Sequence, residues 1–538
     1  MTYLCCPIFV HDADQALQDA ARAKDQGADL VEYRLDDLAD QPDLAADVVA
    51  RSPLPCLATC RHVDEGGGFD GEEAQRIALL EAVGLASPGP SYLDVELASY
   101  QRSANLRQKV HLVVDQSEQI ENGAPPDGTH PGARSARLIL SAHDFRQRPA
   151  DLTRRFADMA AQPACRVVKA AWLARSLRDN LEAFELIRDT PKPAVALCMG
   201  EFGAPSRILA KKASGFLTFA RLDADPGTAP GQPTLQELTG LYRWHDQTPD
   251  TAVYGVVGWP VGHSRSPHLH NAGFTAIGHD GVYLPMPVPP EYEHFKATVG
   301  AWIDDPHLGF GGASVTIPHK ANLLKFVRQR EGTIDPLAER VGVANTLVVR
   351  RDPDGAVQSL EARNTDVDGA LDALAQPLGG NREALREKTA LVLGAGGAAR
   401  GIVVGLIDAG AHVTITHRRP EAAEQLAQEF GGQTSPWQER WNQSADLWIN
   451  TTPLGMHPDV DDSPIGENVP ASWGPGTIVF DAVYNPAQTR LLRQAKQAEA
   501  TPVSGVEMFL RQGAAQFQAW TGQPAPLETF RNVMNALA

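Results

Sequence analysis

No run of apolar residues in this chain approaches the roughly 20 needed to cross a bilayer. The opening MTYLCCPIFVHDAD lacks a basic leader and meets Asp12 and Asp14 early, so neither a secretory nor a transit peptide is expected there. Positive charge is in short supply. Lys and Arg total 48 against 66 Asp and Glu, a formal charge of −18. That balance, mixed along the chain with no long tail of one sign, disfavours nonspecific binding to nucleic acid or an anionic membrane while allowing a local basic pocket. Cysteine is scarce as well. Cys5, Cys6, Cys56, Cys60, Cys165 and Cys198 all precede residue 200, mostly inside apolar runs. Of these, Cys56 and Cys60 form a close pair, at a spacing that suits neither a zinc ribbon nor a finger, so no metal is expected. They read as buried free thiols in a reducing, cytoplasmic compartment.

The chain does have length, 538 residues, and an ordinary apolar content of 43 %. A single core stops growing near roughly 250–300 residues, so two or three domains are expected. Residues 1–245 alternate short apolar strands with amphipathic helices. Strand candidates are 4–9, 30–33, 56–60, 92–97, 110–114, 138–141, 167–170, 195–199 and 216–220. Helical stretches lie between most of them, such as 12–26, with an acidic start and Gly27 as its stop. Serial strand–helix units mean parallel strands with right-handed crossovers, and eight of them suit a (β/α)8 barrel. Segment 110–114 is the odd candidate. It sits in an atypical stretch, 101–136, that also holds the Gly/Pro-rich loop 121–133. The polar segment 241–251 reads as a short linker. Beyond it, 252–370 reads as a mixed α/β domain and 385–505 as a nucleotide-binding domain. The helical stretch 506–538 is expected to return to the first of these two.

Chemistry in a parallel barrel sits at the C-terminal ends of the strands. The side chains there are Glu32, Arg34, Arg61, Glu65, Asp94, Glu96, His143 and Lys169, with Arg207 and Gln232 after the last two strands. Lys169 lies among Val167, Val168, Ala170 and Ala171. Such surroundings strip hydration from an amine and free its neutral form to attack a ketone. The plainer alternative is a strand-end lysine reaching to solvent. His143 can relay protons near neutral pH or be merely structural. Several arginines at one mouth suit an anionic substrate.

The strings EYRLD, CRHVDEGG, LDVEL, SAHDF, VVKAAW, GAPSR and TAPGQ, in that order, resemble the type I 3-dehydroquinate dehydratases over residues 1–240. The resemblance implies that Lys169 forms an imine with the ring ketone, that His143 is the acid and base, and that Glu65 orients it. It also implies that Arg207, Thr228 and Gln232 hold the substrate carboxylate, and that Glu32, Arg34 and Arg61 meet the ring hydroxyls. Segment 101–136 is longer than that family usually has.

In the second half, residues 390–393 run into GAGGAAR. The pattern Gly394-x-Gly396-x-x-Ala399 follows a strand candidate and opens a helix, as in dinucleotide-binding turns. The next strand ends in His417, Arg418 and Arg419 with no acid, which favours the 2′-phosphate of NADP over NAD. Upstream, GWPVGHSRSPHLHN offers Ser264 and Ser266, ASVTIPHK offers Thr316 and Lys320, GVANTL offers Asn345 and NTDVDG offers Asp366. A Lys/Asp pair can move the proton that accompanies hydride transfer. Singly, Lys320 reads as a surface lysine and Asp366 as a cap. Together with NTTPLGM, DAVYNP and GVEMFLRQGAAQF these strings resemble shikimate dehydrogenase over residues 252–538. The resemblance implies Lys320 and Asp366 as the catalytic pair, and a substrate shell of Ser264, Ser266, Thr316, Asn345, Tyr484 and Gln512. On the cofactor side it implies Gly394, Ala395, Gly396, Gly397, Ala398, His417, Arg418, Arg419, Thr451, Gly505 and Met508. The family often reads Asn-Arg-Thr where this chain has His417-Arg418-Arg419, but the central arginine is kept. Both serines of SRSP favour shikimate over quinate.

Joined in this order, the halves resemble the bifunctional plant-type enzymes that dehydrate 3-dehydroquinate and reduce the product to shikimate. The alternatives are a catabolic quinate or shikimate enzyme using NAD, a catalytically silent sensor of pathway intermediates, and a barrel that only scaffolds a dehydrogenase.

Overall fold

The structure, a computed structural model, describes residues 2–114, 136–223 and 227–537. The chain divides into two compact units, Met1–Ala252 with Met286–Val288 and Val253–Pro285 with Pro289–Ala538.

The first unit is built on β1 (Tyr3–Phe9), β2 (Leu30–Arg34), β3 (Cys56–Thr59), β4 (Tyr92–Glu96), β5 (Arg137–Asp144), β6 (Cys165–Leu173), β7 (Ala194–Met199) and β8 (Leu217–Phe219). They form one parallel sheet in the order β7-β6-β5-β4-β3-β2-β1-β8. Its ends meet through the Phe216 N–H, which donates to the Ala194 carbonyl at 2.8 Å. The result is a nearly closed eight-stranded barrel. Side chains alternate along a strand, so each one presents a two-residue period to the interior. Leu30, Leu57, Tyr92, Ile139 and Val167 fill the lower layer. Two residues further on, the same faces carry Glu32, Thr59, Asp94, Ser141 and Lys169, all buried. Oil below and charge above are thus one periodic pattern.

The helix expected at 12–26 runs Ala13–Asp25, with the Asp12 carboxylate accepting the Gln15 N–H at 2.8 Å. Segment 110–114 is not a strand. It ends the helix Ala104–Val113, capped by Ser103, whose buried Leu106, Val110 and Val113 keep a helical rather than a two-residue spacing. Loop 121–133 lies outside the described residues. Segment 241–251, though polar in composition, is not a loose tether. Trp244 is fully buried, and the Lys211 ammonium donates to the carbonyls of Trp244 and His245 at 3.3 and 2.6 Å.

The second unit carries two sheets. The first contains β9 (Ala252–Gly258), β10 (Gly281–Pro287), β11 (Phe310–Val315), β12 (Thr333–Ile334), β13 (Thr346–Arg351) and β14 (Val357–Arg363) in the order β10-β9-β11-β13-β14-β12. It is mixed: β9 and β11 run parallel, whereas β13 is antiparallel to both β11 and β14. The second contains β15 (Thr389–Leu393), β16 (His412–Thr416), β17 (Gln433–Thr434), β18 (Leu447–Asn450), β19 (Ile478–Asp481) and β20 (Thr501–Ser504), all parallel in the order β17-β16-β15-β18-β19-β20. This Rossmann-type sheet reverses its winding beside β15, the place where such sheets open a crevice. The long helix Gly505–Thr521 then returns to the first sheet, where the Trp520 indole N–H donates to the Leu347 carbonyl at 2.9 Å. Among the described residues no helix is long and apolar enough to cross a membrane.

Candidate active sites

The barrel mouth gathers most of the expected side chains around one pocket, while Gln232 lines a neighbouring one together with Thr228. Glu32, Arg34, Arg61, Glu65, His143, Lys169, Arg207 and Thr228 all line the first. The Lys169 side chain is only 5 % exposed, but its neighbours correct the expectation of an amine lost among apolar walls. Its Nζ lies 2.8 Å from Asp94 Oδ2 and 3.2 Å from Glu32 Oε1, and 4.6 Å from the centre of the Phe219 ring. The residues flanking Lys169 in sequence give no sign of this, because both carboxylates come from other strands.

A second layer holds the carboxylates. Arg61 pairs with Asp94 at 2.8 Å and Glu96 at 3.2 Å, and donates to the Ser141 hydroxyl at 2.8 Å. Ser141 in turn donates to Asp94 at 2.5 Å. Burial alone would raise the Asp94 carboxyl, but Arg61 and Lys169 outweigh it and hold it well below the usual range. Burial also opposes the Arg61 charge, and Asp94, Glu96, Glu65 and Glu32 together reverse that and raise it. Arg34 forks onto buried Asp36 at 2.5 and 3.3 Å. Both arginines therefore line the pocket already engaged by protein carboxylates.

His143 and Glu65 meet as expected, Nδ1 to Oε2 at 3.0 Å. Burial, reinforced by the positive charges of Arg61 and Lys169, drives the imidazole well below its usual range. Burial pushes the Glu65 carboxyl up to about 8 against the pull of Arg61. Arg207 differs from the other arginines. It is buried, burial lowers it to about 10, and its Nε has no partner. Gln232 accepts the Thr228 N–H and hydroxyl at 3.1 and 3.2 Å, leaving its own amide nitrogen buried and unpartnered. Unsatisfied buried donors are costly, so Arg207 Nε and the Gln232 amide nitrogen are each able to take up a further acceptor.

In the second unit, Lys320 and Asp366 open the helices Lys320–Gln329 and Asp366–Ala375, and their charged ends meet at 2.6 Å. Asn345 donates to the Thr365 hydroxyl at 3.0 Å and to Gln512 at 3.4 Å. The Ser266 N–H donates to the Ser264 hydroxyl at 3.3 Å. Thr316 follows β11, and Tyr484 stacks on Phe509 with centroids 4.6 Å apart. The Lys320–Asp366 hydrogen bond itself involves none of Ser264, Thr316 and Tyr484.

The glycine turn lies at the end of β15. Gly394 has φ +124, and a Cβ there would stand 2.2 Å from Thr451 Oγ1. A Cβ on Gly396 would meet nothing within 4 Å, and one on Gly397 would lie 3.9 Å from Lys320 Cδ. The N-terminus of the helix Gly397–Asp408, with Ala398 in its first turn, thus faces open space beside Lys320. Ala395 packs partly buried against the core. Gly505, which starts the returning helix, is pressed against the Val483 and Ala482 carbonyls, and Met508 is buried a turn later. Beyond β16, Arg418 and Arg419 are exposed, while the Arg419 N–H donates to His417 Nδ1 at 3.2 Å.

Four family models match. One described as type I 3-dehydroquinase covers residues 4–249 and one described as the shikimate dehydrogenase substrate binding domain covers 256–347. Models for coenzyme F420-dependent NADP oxidoreductase and the shikimate 5'-dehydrogenase C-terminal domain cover 389–469 and 505–534. A bifunctional 3-dehydroquinate dehydratase/shikimate dehydrogenase, chloroplastic, of Arabidopsis thaliana is 35 % identical over 99 % of this chain and 84 % of its own. A shikimate dehydrogenase (NADP(+)) of Methanothermobacter thermautotrophicus is 40 % identical over 53 % of this chain and 97 % of its own. Among solved structures, shikimate 5-dehydrogenase of Thermus thermophilus, in complex with NADP(H) and shikimate, is 30 % identical. It covers 53 % of this chain and all (100 %) of its own, with a TM-score of 0.46.

Proposed function

The chain belongs to the family of bifunctional 3-dehydroquinate dehydratase/shikimate dehydrogenases, and from that premise we propose how its residues carry out the two reactions. The first half dehydrates 3-dehydroquinate to 3-dehydroshikimate. The second reduces that product to shikimate with NADPH. We assign them to a barrel, 1–245, and to a substrate domain, 252–370 completed by 506–538, with a cofactor domain, 385–505. The observation that carries the reading is Lys169, buried at the strand ends between two carboxylates.

Arg207, Thr228 and Gln232 bind the substrate carboxylate, which satisfies the idle donors of Arg207 and Gln232. Glu32, Arg34 and Arg61 face the ring hydroxyls. The Lys169 nitrogen attacks the ring ketone, and the carbonyl oxygen leaves as water. From ammonium and ketone to protonated imine and water, no net proton is exchanged. Asp94 and Glu32 therefore face a cation at both ends of the step. The protonated imine withdraws electrons from the neighbouring C–H bond. His143, uncharged, takes that proton and returns it to the departing ring hydroxyl, which leaves as water. Glu65 holds the imidazole in place. Water then hydrolyses the imine and frees Lys169.

The cofactor turn fits NADP. Open space before the Gly397–Asp408 helix N-terminus suits a pyrophosphate, and His417, Arg418 and Arg419 suit a 2′-phosphate. When bound, the cofactor supplies a hydride. Lys320 delivers the accompanying proton to the ketone oxygen, and Asp366 holds Lys320 in place. Ser264 and Ser266 bind the carboxylate, while Thr316, Asn345, Tyr484 and Gln512 surround the ring. Gly394, Ala395, Gly396, Gly397 and Ala398 would hold the cofactor phosphates, and Thr451, Gly505 and Met508 would complete the cofactor side. Its partners are these small molecules rather than nucleic acid or membrane, and six buried free thiols suit a cytoplasmic location.

The test is a coupled assay with 3-dehydroquinate and NADPH. Lys169→Ala and Lys320→Ala each stop NADPH consumption, and added 3-dehydroshikimate rescues only the Lys169 variant. Retained consumption in Lys169→Ala would overturn the imine route.

A further inference from the structure

Arg76 lies on the helix Glu73–Gly84, outside the mouth, and is among the most deeply buried side chains of the barrel unit. Its guanidinium pairs with Glu96, and with Glu73 at 2.9 Å. Glu73 is 37 % exposed, so water screens it, whereas Glu96 is 3 % exposed. From Glu96 an unbroken run of ion pairs leads inward: to Arg61 at 3.2 Å, Asp94 at 2.8 Å, Lys169 at 2.8 Å and Glu32 at 3.2 Å. The dry part of this run holds three carboxylates, Glu32, Asp94 and Glu96, against three cations, Lys169, Arg61 and Arg76.

We infer that Arg76 is a positioning residue for the dehydratase, which balances the buried carboxylates so that Lys169 can release a proton and become a nucleophile. This rests on the imine reading above. The run is neutral while Lys169 carries its charge and again when the protonated imine has formed. Between those states the amine must be uncharged, and the run then has one excess negative charge. Without Arg76 it would begin with one and reach two. Like charges in a medium of low dielectric repel strongly, so the deprotonated amine would be disfavoured. The other groups facing Lys169 are common to the wild type and the variants and drop out of the comparison: Arg207 is a buried cation lining the same pocket, lowered to about 10 by burial. His143 on β5 is held uncharged, and Glu65 is pushed up to about 8. The Cys5 thiol on β1 is pushed well above its usual range by burial, then by Glu32 and Cys6. Arg34 and Asp36 offset one another.

The readout is the pH dependence of borohydride trapping of 3-dehydroquinate on the full chain, with shikimate dehydrogenase activity of the same sample as the folding control. Arg76→Met moves the trapping profile up by about one pH unit or more, and slows trapping roughly tenfold at neutral pH. Arg76→Lys keeps the charge and the wild-type profile. Glu96→Gln removes an anion and moves the profile down, which keeps the test open if Arg76→Met does not fold. The double variant Arg76→Met/Glu96→Gln restores neutrality and returns the profile toward wild type, an outcome no purely structural role produces. A wild-type profile in Arg76→Met, or a double variant shifted as far as that single one, would overturn the inference. Failure of the wild type itself to be labelled would instead overturn the imine reading on which it rests.

Discussion

The Glu65 carboxylate meets His143 twice through one oxygen, at 3.0 Å from the ring Nδ1 and at 2.9 Å from the backbone N–H. The double contact fixes the ring relative to its own strand and leaves Nε2 as the nitrogen available for chemistry. Burial favours the uncharged form of each partner. A base whose folded value is depressed stays uncharged below the usual imidazole midpoint. The acid limb of dehydratase kcat/KM is therefore expected well under pH 6.5. A second limb near pH 8 is expected from Glu65. In Glu65→Gln the limb near pH 8 disappears, while His143→Ala loses roughly 10²–10⁴-fold in kcat. An unchanged limb in Glu65→Gln would assign it to another group.

Much of the barrel site is legible in the sequence because strands advertise themselves by period. Tyr92, Asp94 and Glu96 occupy one face of β4, so the change from apolar to acidic along that face marks the passage from core to mouth. Which charges pair is not legible. Lys169 and Glu32 are far apart in sequence yet meet across the barrel, and no local window contains both. Arg76 does leave a signal: with Leu80 and Val83 it lies on the buried face of its helix, where an apolar residue belongs. Segment 110–114 misleads because Val, His and Leu fit a strand as well as a helix end, and only the Ser103 cap and the burial of Leu106 decide between them.

The Lys320–Asp366 pair is held from behind. The Asp366 N–H donates to Asn364 Oδ1 at 3.0 Å, while the Asn364 amide donates to the Val343 carbonyl at 3.0 Å. The pair is proposed to act as a unit, so its losses should not add. Lys320→Met and Asp366→Asn are each expected to lower the dehydrogenase kcat by about 10²-fold or more, and the double variant by little beyond the worse single. Kinetics with shikimate and NADP decide this. Multiplied losses would mean that the two residues act separately.

Arg418 and Arg419 project at the end of β16 where an acid would otherwise meet a ribose hydroxyl. A charge-assisted hydrogen bond contributes about 1.5–3 kcal/mol, or roughly tenfold to a hundredfold in affinity. Arg418→Ala is expected to lower kcat/KM for NADPH by that order and leave NADH little changed. The ratio of the two constants is the measurement. An equal fall with both cofactors would show that the arginine supports the loop rather than reading the phosphate.

Gly394 and Thr451 offer a test of the cofactor turn that leaves its charges untouched. The Gly394 backbone sits at φ +124, which L side chains rarely adopt, and an added methyl would stand 2.2 Å from Thr451 Oγ1. That hydroxyl cannot swing aside freely, because it donates to the Leu393 carbonyl at 2.8 Å. Gly394→Ala must therefore strain the backbone, break that hydrogen bond or move the loop after β18, at about 1–3 kcal/mol for backbone strain alone. The expected result is weaker NADPH binding and earlier melting of the dehydrogenase half, with dehydratase kcat unchanged in the same preparation. Thr451→Ser removes the methyl but keeps the hydroxyl, and should not rescue the variant. Thr451→Ala removes the colliding oxygen and should recover part of the binding. Full NADPH affinity in Gly394→Ala alone would mean that the turn relaxes without disturbing the crevice, and that the close approach of these two residues does not set the cofactor site.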